Sequence, residues 1–148
     1  MSEDFKIIWS KGFQNNISDE ENLAVKKLKP LIQEQIIAQP IFHKKIMVLV
    51  IHAKYRTADT VELMVLIINN TGKPIDEYKV HISLIVDDMQ SDMYRFEFDK
   101  KNQGILQTNT ACIECLSFEK PFDDTLDLEN LKIEFEILYD PNKPVYIF

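Results

Sequence analysis

Val61-Glu62-Leu63-Met64-Val65-Leu66-Ile67-Ile68-Asn69-Asn70-Thr71-Gly72 decides the fold. Six apolar residues in a row, Leu63–Ile68, run into a polar turn. A short apolar run bounded by turn residues is the pattern of a strand covered on both faces. The stretch therefore reads as a buried strand that ends in a tight corner at the rim of a β-sandwich. The corner continues as Asn69-Asn70-Thr71-Gly72-Lys73-Pro74, the strongest turn signal in the chain. Asn and Gly accept positive φ, and Pro fixes its own φ.

Upstream, Lys45–Arg56 has a period of two. Ile46, Val48 and Val50 fall on one face, and Met47, Leu49, Ile51 and Ala53 on the other. Both faces are apolar at the centre, so cover on both sides is expected. Thr57-Ala58-Asp59-Thr60 is a link of hairpin length, which predicts that the two strands pair. Downstream, Tyr78–Val86 points Val80, Ile82, Leu84 and Val86 at the core, with His81 and Ser83 opposite. Asp87–Asp92 reads as a loop. Tyr94, Phe96 and Phe98 alternate with Arg95 and Glu97, the pattern of a half-exposed strand. Lys100–Thr110 is turn-like, Ile113–Phe118 is a strand and Pro121–Asn130 is an acidic loop. In Leu131–Tyr139, Leu131, Ile133, Phe135, Ile137 and Tyr139 alternate with Lys132, Glu134 and Glu136. A turn at Asp140–Pro144 precedes a last short strand at Val145–Phe148.

Residues 1–17 read as an N-terminal arm and 18–148 as one sandwich domain that begins with a helix, 18–29. In the arm, Ile7 and Trp9 alternate as in a short strand, and Trp9 is large enough to anchor the arm on the body. Ser18 and Glu21 form a capping box at the start of the helix. Asp19, Glu20 and Glu21 place negative charge at its N-terminus, and Lys26, Lys27 and Lys29 place positive charge at its other end. Ala24, Leu28 and Leu31 share the face that would lie on the sandwich. Pro30 disfavours helix at Lys29 and ends it. Gln33–Gln39 reads as extended. Seven or eight strands separated by short polar turns, after one helix, make an antiparallel β-sandwich.

The totals agree. A chain of 148 residues is of single-domain size, long enough to bury a core without staples. Hydrophobic content of 45% and charged content of 28% are those of an ordinary globular protein. The net charge of −7 repels phosphate backbones and anionic membranes, which argues against nucleic acid as a partner. No apolar run approaches the roughly 20 residues of a membrane span. Met-Ser-Glu-Asp-Phe-Lys lacks the basic and apolar regions of a signal peptide, so a cytoplasmic location is expected.

Chemistry finds little foothold. Cys112 and Cys115 form a C-x-x-C, but there is no second cysteine pair for zinc. Within a strand, residues three apart point to opposite faces, too far apart to bond. Reduced thiols packed as small apolar groups are expected. His43, His52 and His81 lack ligand spacing. Ser83 and Ser117 sit in mid-strand without a nucleophile elbow. No Gly-rich phosphate loop occurs. Asp123, Asp124, Asp127 and Glu129 read as a solvated acidic loop. No catalytic residue, metal or cofactor is expected.

Several motifs together resemble a known family. An acidic, capped helix leads into Leu28-Lys29-Pro30-Leu31. The central strand ends in Ile67-Ile68-Asn69-Asn70-Thr71, which passes through Pro74-Ile75 into the next strand, and Leu131–Glu136 follows an acidic loop. This order, over residues 20–137, resembles the SLAP domain of the S-layer assembly proteins of accessory Sec systems in Bacillus and its relatives. Residues 45–148 are also similar in outline to the immunoglobulin-like ear domains of clathrin adaptors. Both resemblances imply an immunoglobulin-like fold that binds protein segments and catalyses nothing.

The leading expectation is a non-enzymatic protein-interaction domain tied to protein export or cell-surface assembly. It would take up a partner segment by β-strand addition at a sheet edge. Tyr94, Phe96 and Phe98 mark the preferred edge, and Trp9 is a second partner-facing candidate. The alternatives are an assembly subunit acting as a homo-oligomer, and an enzyme or ligand binder with a pocket between helix and sandwich. One substitution probes the fold. Val65→Asp puts an unpaired charge inside a doubly covered strand and is expected to leave no folded protein in a thermal melt. A soluble variant that melts cooperatively would show that the stretch is not core.

Overall fold

The computed structural model describes residues 6–9 and 45–145, and singly residues 19, 23, 26, 27, 30 and 34. Apart from those single positions, the expected helix 18–29, most of the arm 1–17 and the extended stretch 33–39 lie outside the described residues. So does the end of the expected strand Val145–Phe148. The described chain is mainly β and sandwich-like. Eight strands lie among the described residues: β1 (Lys6–Trp9), β2 (Ile46–Tyr55), β3 (Thr60–Asn69), β4 (Glu77–Val86), β5 (Met89–Gln90), β6 (Tyr94–Asp99), β7 (Thr110–Glu119) and β8 (Lys132–Leu138).

The first sheet has the order β1-β7-β3-β2. Its two inner strands are β7 and β3, the latter the stretch on which the fold reading rests. Val61, Leu63, Val65 and Ile67 face the second sheet and are fully buried. Leu66 and Ile68 belong to a separate buried cluster on the other face, with Met47, Ala111 and Ile113. Each of these valine, leucine, isoleucine and methionine side chains removed from water contributes about 1.5–3 kcal/mol. β2 and β3 form the expected antiparallel hairpin. Its link is closed by Arg56 N–H donating to Thr60 O at 2.9 Å.

Two details of this sheet depart from the sequence reading. The register of β2 slips between Val50 and His52, so Ile51 is an extra residue. A bulge of this kind changes which residues share a face. Ala53 therefore packs with Val50 and Tyr55 on the inner core, not with Met47, Leu49 and Ile51. The second departure is β1, which runs parallel to β7, with Trp9 opposite Ile113. Among the described strands the sandwich is thus antiparallel except for this one pair.

The second sheet is built on β4. β8 pairs with one side of it, and β5 and β6 with the other. The expected loop Asp87–Asp92 instead contains β5, a two-residue strand turned back by Asp87 at φ 53°. Between β5 and β6 the hydroxyl of Ser91 replaces a ladder carbonyl, accepting from Leu84 N–H at 2.8 Å, while Ser91 N–H donates to Leu84 O at 2.8 Å. Phe118 of β7 is fully buried between the sheets and meets Tyr94 and Phe96 edge-on, at ring separations of 4.9 and 5.1 Å.

The crossing between the sheets hangs on Asn69, the last residue of β3, which is wholly buried. Its Nδ2 donates to Lys73 O at 2.7 Å and to Leu106 O at 3.0 Å. Its Oδ1 accepts from Thr71 N–H at 3.0 Å and from Thr71 Oγ1 at 2.7 Å. Gly72, at φ 84°, supplies the left-handed residue the corner needs. Leu106 is itself bridged to Ile75, so one carboxamide ties β3, the corner and the 104–109 connection together. Asn69→Ala leaves these buried partners unsatisfied and is expected to cost about 2–4 kcal/mol in urea unfolding. Asn69→Asp should be no better, because it turns a carboxylate towards two carbonyl oxygens. A loss under about 1 kcal/mol for both variants would mean the corner holds without the amide.

Candidate functional site

The four residues singled out in the sequence do not come together. Trp9 is half-buried on β1 and packs on the cluster of Met47, Leu66, Ile68, Ala111 and Ile113, on the first sheet's outer face. Tyr94, Phe96 and Phe98 lie on β6, which pairs among the described strands with β4 alone. Their rings point inward. Tyr94 and Phe96 abut Phe118, and Phe98 stacks on Tyr78 at 4.8 Å with the planes 12° apart. The Tyr94 hydroxyl donates to Glu119 O at 2.6 Å, tying β6 to the end of β7. The β6 edge thus offers its backbone and the exposed Arg95, Glu97 and Asp99, while its aromatic surface is spent on the core.

Cys112 and Cys115 are both free thiols. Cys112 lies opposite Ile67 on the inner face and Cys115 opposite Met64 on the outer one, so the strand alternation separates them. Near Cys112 the interior holds a polar group that the sequence reading missed. Glu114 pairs with Val65 and is buried on the core face of β7. The signal was available: Cys112, Glu114, Leu116 and Phe118 share one phase, and a carboxyl in phase with a core is an anomaly. Cys112 Sγ donates to Glu114 Oε1 at 3.7 Å. Burial, then the charge of Glu114, pushes the Cys112 thiol far above its ordinary 9.0. Burial, with Cys112 and Glu114 as lesser causes, pushes Tyr78 well above its ordinary 10.0. A thiol held this firmly protonated is a poor nucleophile.

Two broad surface hollows are found among the described residues. One, of about 670 Å³, runs between the second half of β2 and the connection Leu126–Leu131 that leads into β8. The Tyr55 hydroxyl pins that connection, donating to Leu126 O at 2.8 Å and accepting from Leu126 N–H at 2.7 Å. The other, of about 620 Å³, lies between the corner after β3 and the turn at Asp140–Lys143. Lys143 Nζ sits on its rim, 2.7 Å from Glu77 Oε2 and 3.3 Å from Asp76 Oδ1. The hydrogen bond with Glu77 raises the Lys143 pKa above its usual value.

Backbone edges surround the first hollow. β2 pairs with β3 alone and β8 with β4 alone among the described strands, and the two come close across one side of the sandwich. Among the described residues no cluster of histidine, cysteine and carboxylate groups has the makings of a metal site, and no helix is long and apolar enough to cross a membrane. Comparison of the chain with known protein families, with curated proteins and with solved structures finds no match.

The interior thiol and phenol carry a pH dependence. Both keep their protons in the folded state at pH values where the unfolded chain has lost them. The unfolded state then binds fewer protons, so stability is whole below the ordinary thiol value of 9.0 and falls as pH rises past it. The urea midpoint should therefore fall from about pH 9 upward, and Cys112→Ala should flatten the start of that fall. A midpoint constant to about pH 11 would contradict the burial of these groups.

Proposed function

We propose that this chain is a non-enzymatic protein-interaction domain with an immunoglobulin-like sandwich, which takes up an extended segment of another protein by β-strand addition. The observation that carries the reading is the set of open strand edges. Among the described residues β2, β6 and β8 each have one ladder partner. A free edge presents a row of unpaired N–H and C=O groups, which a partner strand satisfies. Strand order supports the immunoglobulin-like part. With β2, β3 and β7 taken as A, B and E, and β6, β4 and β8 as C′, C and F, these six strands lie in the order of that family of sandwiches, while β1 takes the place of D and runs parallel to its neighbour. The resemblance of residues 20–137 to the SLAP domain extends the reading to protein export or cell-surface assembly, on the cytoplasmic side.

The test begins with affinity capture from the native cell and cross-linking to identify the bound segment. That segment, as a synthetic peptide, is then added while amide hydrogen exchange is followed. Slowed exchange along β2, β6 or β8 is the expected outcome. Slowing confined to the turns, or chemical conversion of the captured chain, would refute the reading.

A further inference from the structure

We propose that the receiving edge is that of β8, and that its ligand is an extended segment of another protein in which apolar residues alternate with lysine or arginine. This rests on the strand-addition reading above and says which edge acts and on what chemistry.

The argument starts from phase. Ile133, Phe135 and Ile137 pair with Leu84, Ile82 and Val80, so all three face the core side of the second sheet. Their partners on β4 are fully buried, yet Phe135 remains 37% exposed and Ile133 and Ile137 are only half-buried. The core-facing row of β8 is thus an unfinished part of the sandwich. A strand lying along β8 would cover it, in the place that follows F in an immunoglobulin-type sheet. β6 differs: its inward rings are already packed on Phe118 and Tyr78. β2 bulges at Ile51, which breaks the row of backbone groups an incoming strand would meet. The hollow beside β2 ends at Leu131, one residue before β8, so the seam is open where a ligand would enter.

Charge selects the ligand. The outward row of β8 begins with Lys132 and continues with Glu134 and Glu136, all exposed, and the connection before it carries Asp127 and Glu129. Among the described residues none of these four carboxylates is engaged in an ion pair. Directly opposed residues on paired strands feel each other's charge, so positions facing Glu134 and Glu136 favour Lys or Arg. Positions facing Ile133, Phe135 and Ile137 favour apolar side chains. A second copy of this chain fits poorly. The antiparallel self-pairing that uses all seven residues of β8 centres on Phe135 and twice opposes Glu134 to Glu136.

The experiment uses two blocked peptides, Val-Lys-Val-Lys-Val-Lys-Val and Val-Glu-Val-Glu-Val-Glu-Val. Binding is measured by calorimetry, and the contact is mapped by amide exchange. The lysine peptide should bind, slow exchange in β8 and weaken as salt is added. In the double variant Glu134→Lys, Glu136→Lys, affinity for it should fall on the order of tenfold, with the glutamate peptide now preferred. Both positions are exposed, and an unchanged thermal melt shows that the variant is folded. Binding that maps to β2 or β6, or that ignores the charge reversal, overturns the assignment to β8 and leaves strand addition standing. Absence of binding by either peptide overturns both. Dimerisation through β8 overturns the heterologous ligand.

Discussion

The carboxamide of Asn69 is the contact on which the sandwich depends. It ends β3, a strand with no exposed residue, and stands where the chain must leave one sheet for the other. A buried amide is costly unless every donor and acceptor is used. Here both donors and the oxygen are used, by Lys73, Leu106 and Thr71. The requirement to satisfy that one side chain fixes the corner. The corner sets where β4 begins, and β4 is the strand from which the rest of the second sheet is laid out. A side chain of similar size without the amide would bury as well and specify nothing.

The interior and the edges divide the labour. Inside, the titratable groups Tyr78, Cys112 and Glu114 are buried, and burial holds the phenol and the thiol in their neutral forms. Groups that cannot change charge at ordinary pH contribute packing and hydrogen bonds. Backbone edges behave in the opposite way. Their hydrogen-bonding groups lie at the surface, and completing a ladder needs a second strand and no reactive side chain. The proposed strand addition would draw on those edges and ask nothing of the buried thiol and phenol.

Much of the fold was legible because period-two patterning is a direct record of burial. Val80, Ile82 and Leu84 were assigned to the core by alternation, and they are fully buried. The C-x-x-C was separated by the same arithmetic. What alternation missed had physical causes. The bulge at Ile51 adds one residue, and nothing in an unbroken apolar run marks where the phase slips. The parallel pairing of β1 depends on a contact about a hundred residues away in the chain (Lys6 with Thr110), which local pattern does not encode. Tyr94, Phe96 and Phe98 drew notice as aromatic residues on an edge. Periodicity shows that a row has one face, but whether that face meets solvent or Phe118 is a question of what lies across the sandwich. For β8 the reverse holds. Its alternation was plain, while its unfinished row became visible only when Phe135 was seen exposed beside the fully buried Val80, Ile82 and Leu84 of β4.

The sequence by itself determined the inward row of β3, β4, β6 and β8, the place of most turns and that the chain forms a mainly β body. Those properties follow from local sterics and from the removal of apolar surface from water, both written residue by residue. Only the tertiary structure decided which strands became edges and which inward rows were left incomplete. An edge is defined by the absence of a neighbour, and neighbours are chosen by the packing of the whole chain. The stretch Val61–Gly72 shows both sides. Its six apolar residues announced a covered strand, but only the assembled sheets showed that Asn69, the polar residue after them, holds the corner together.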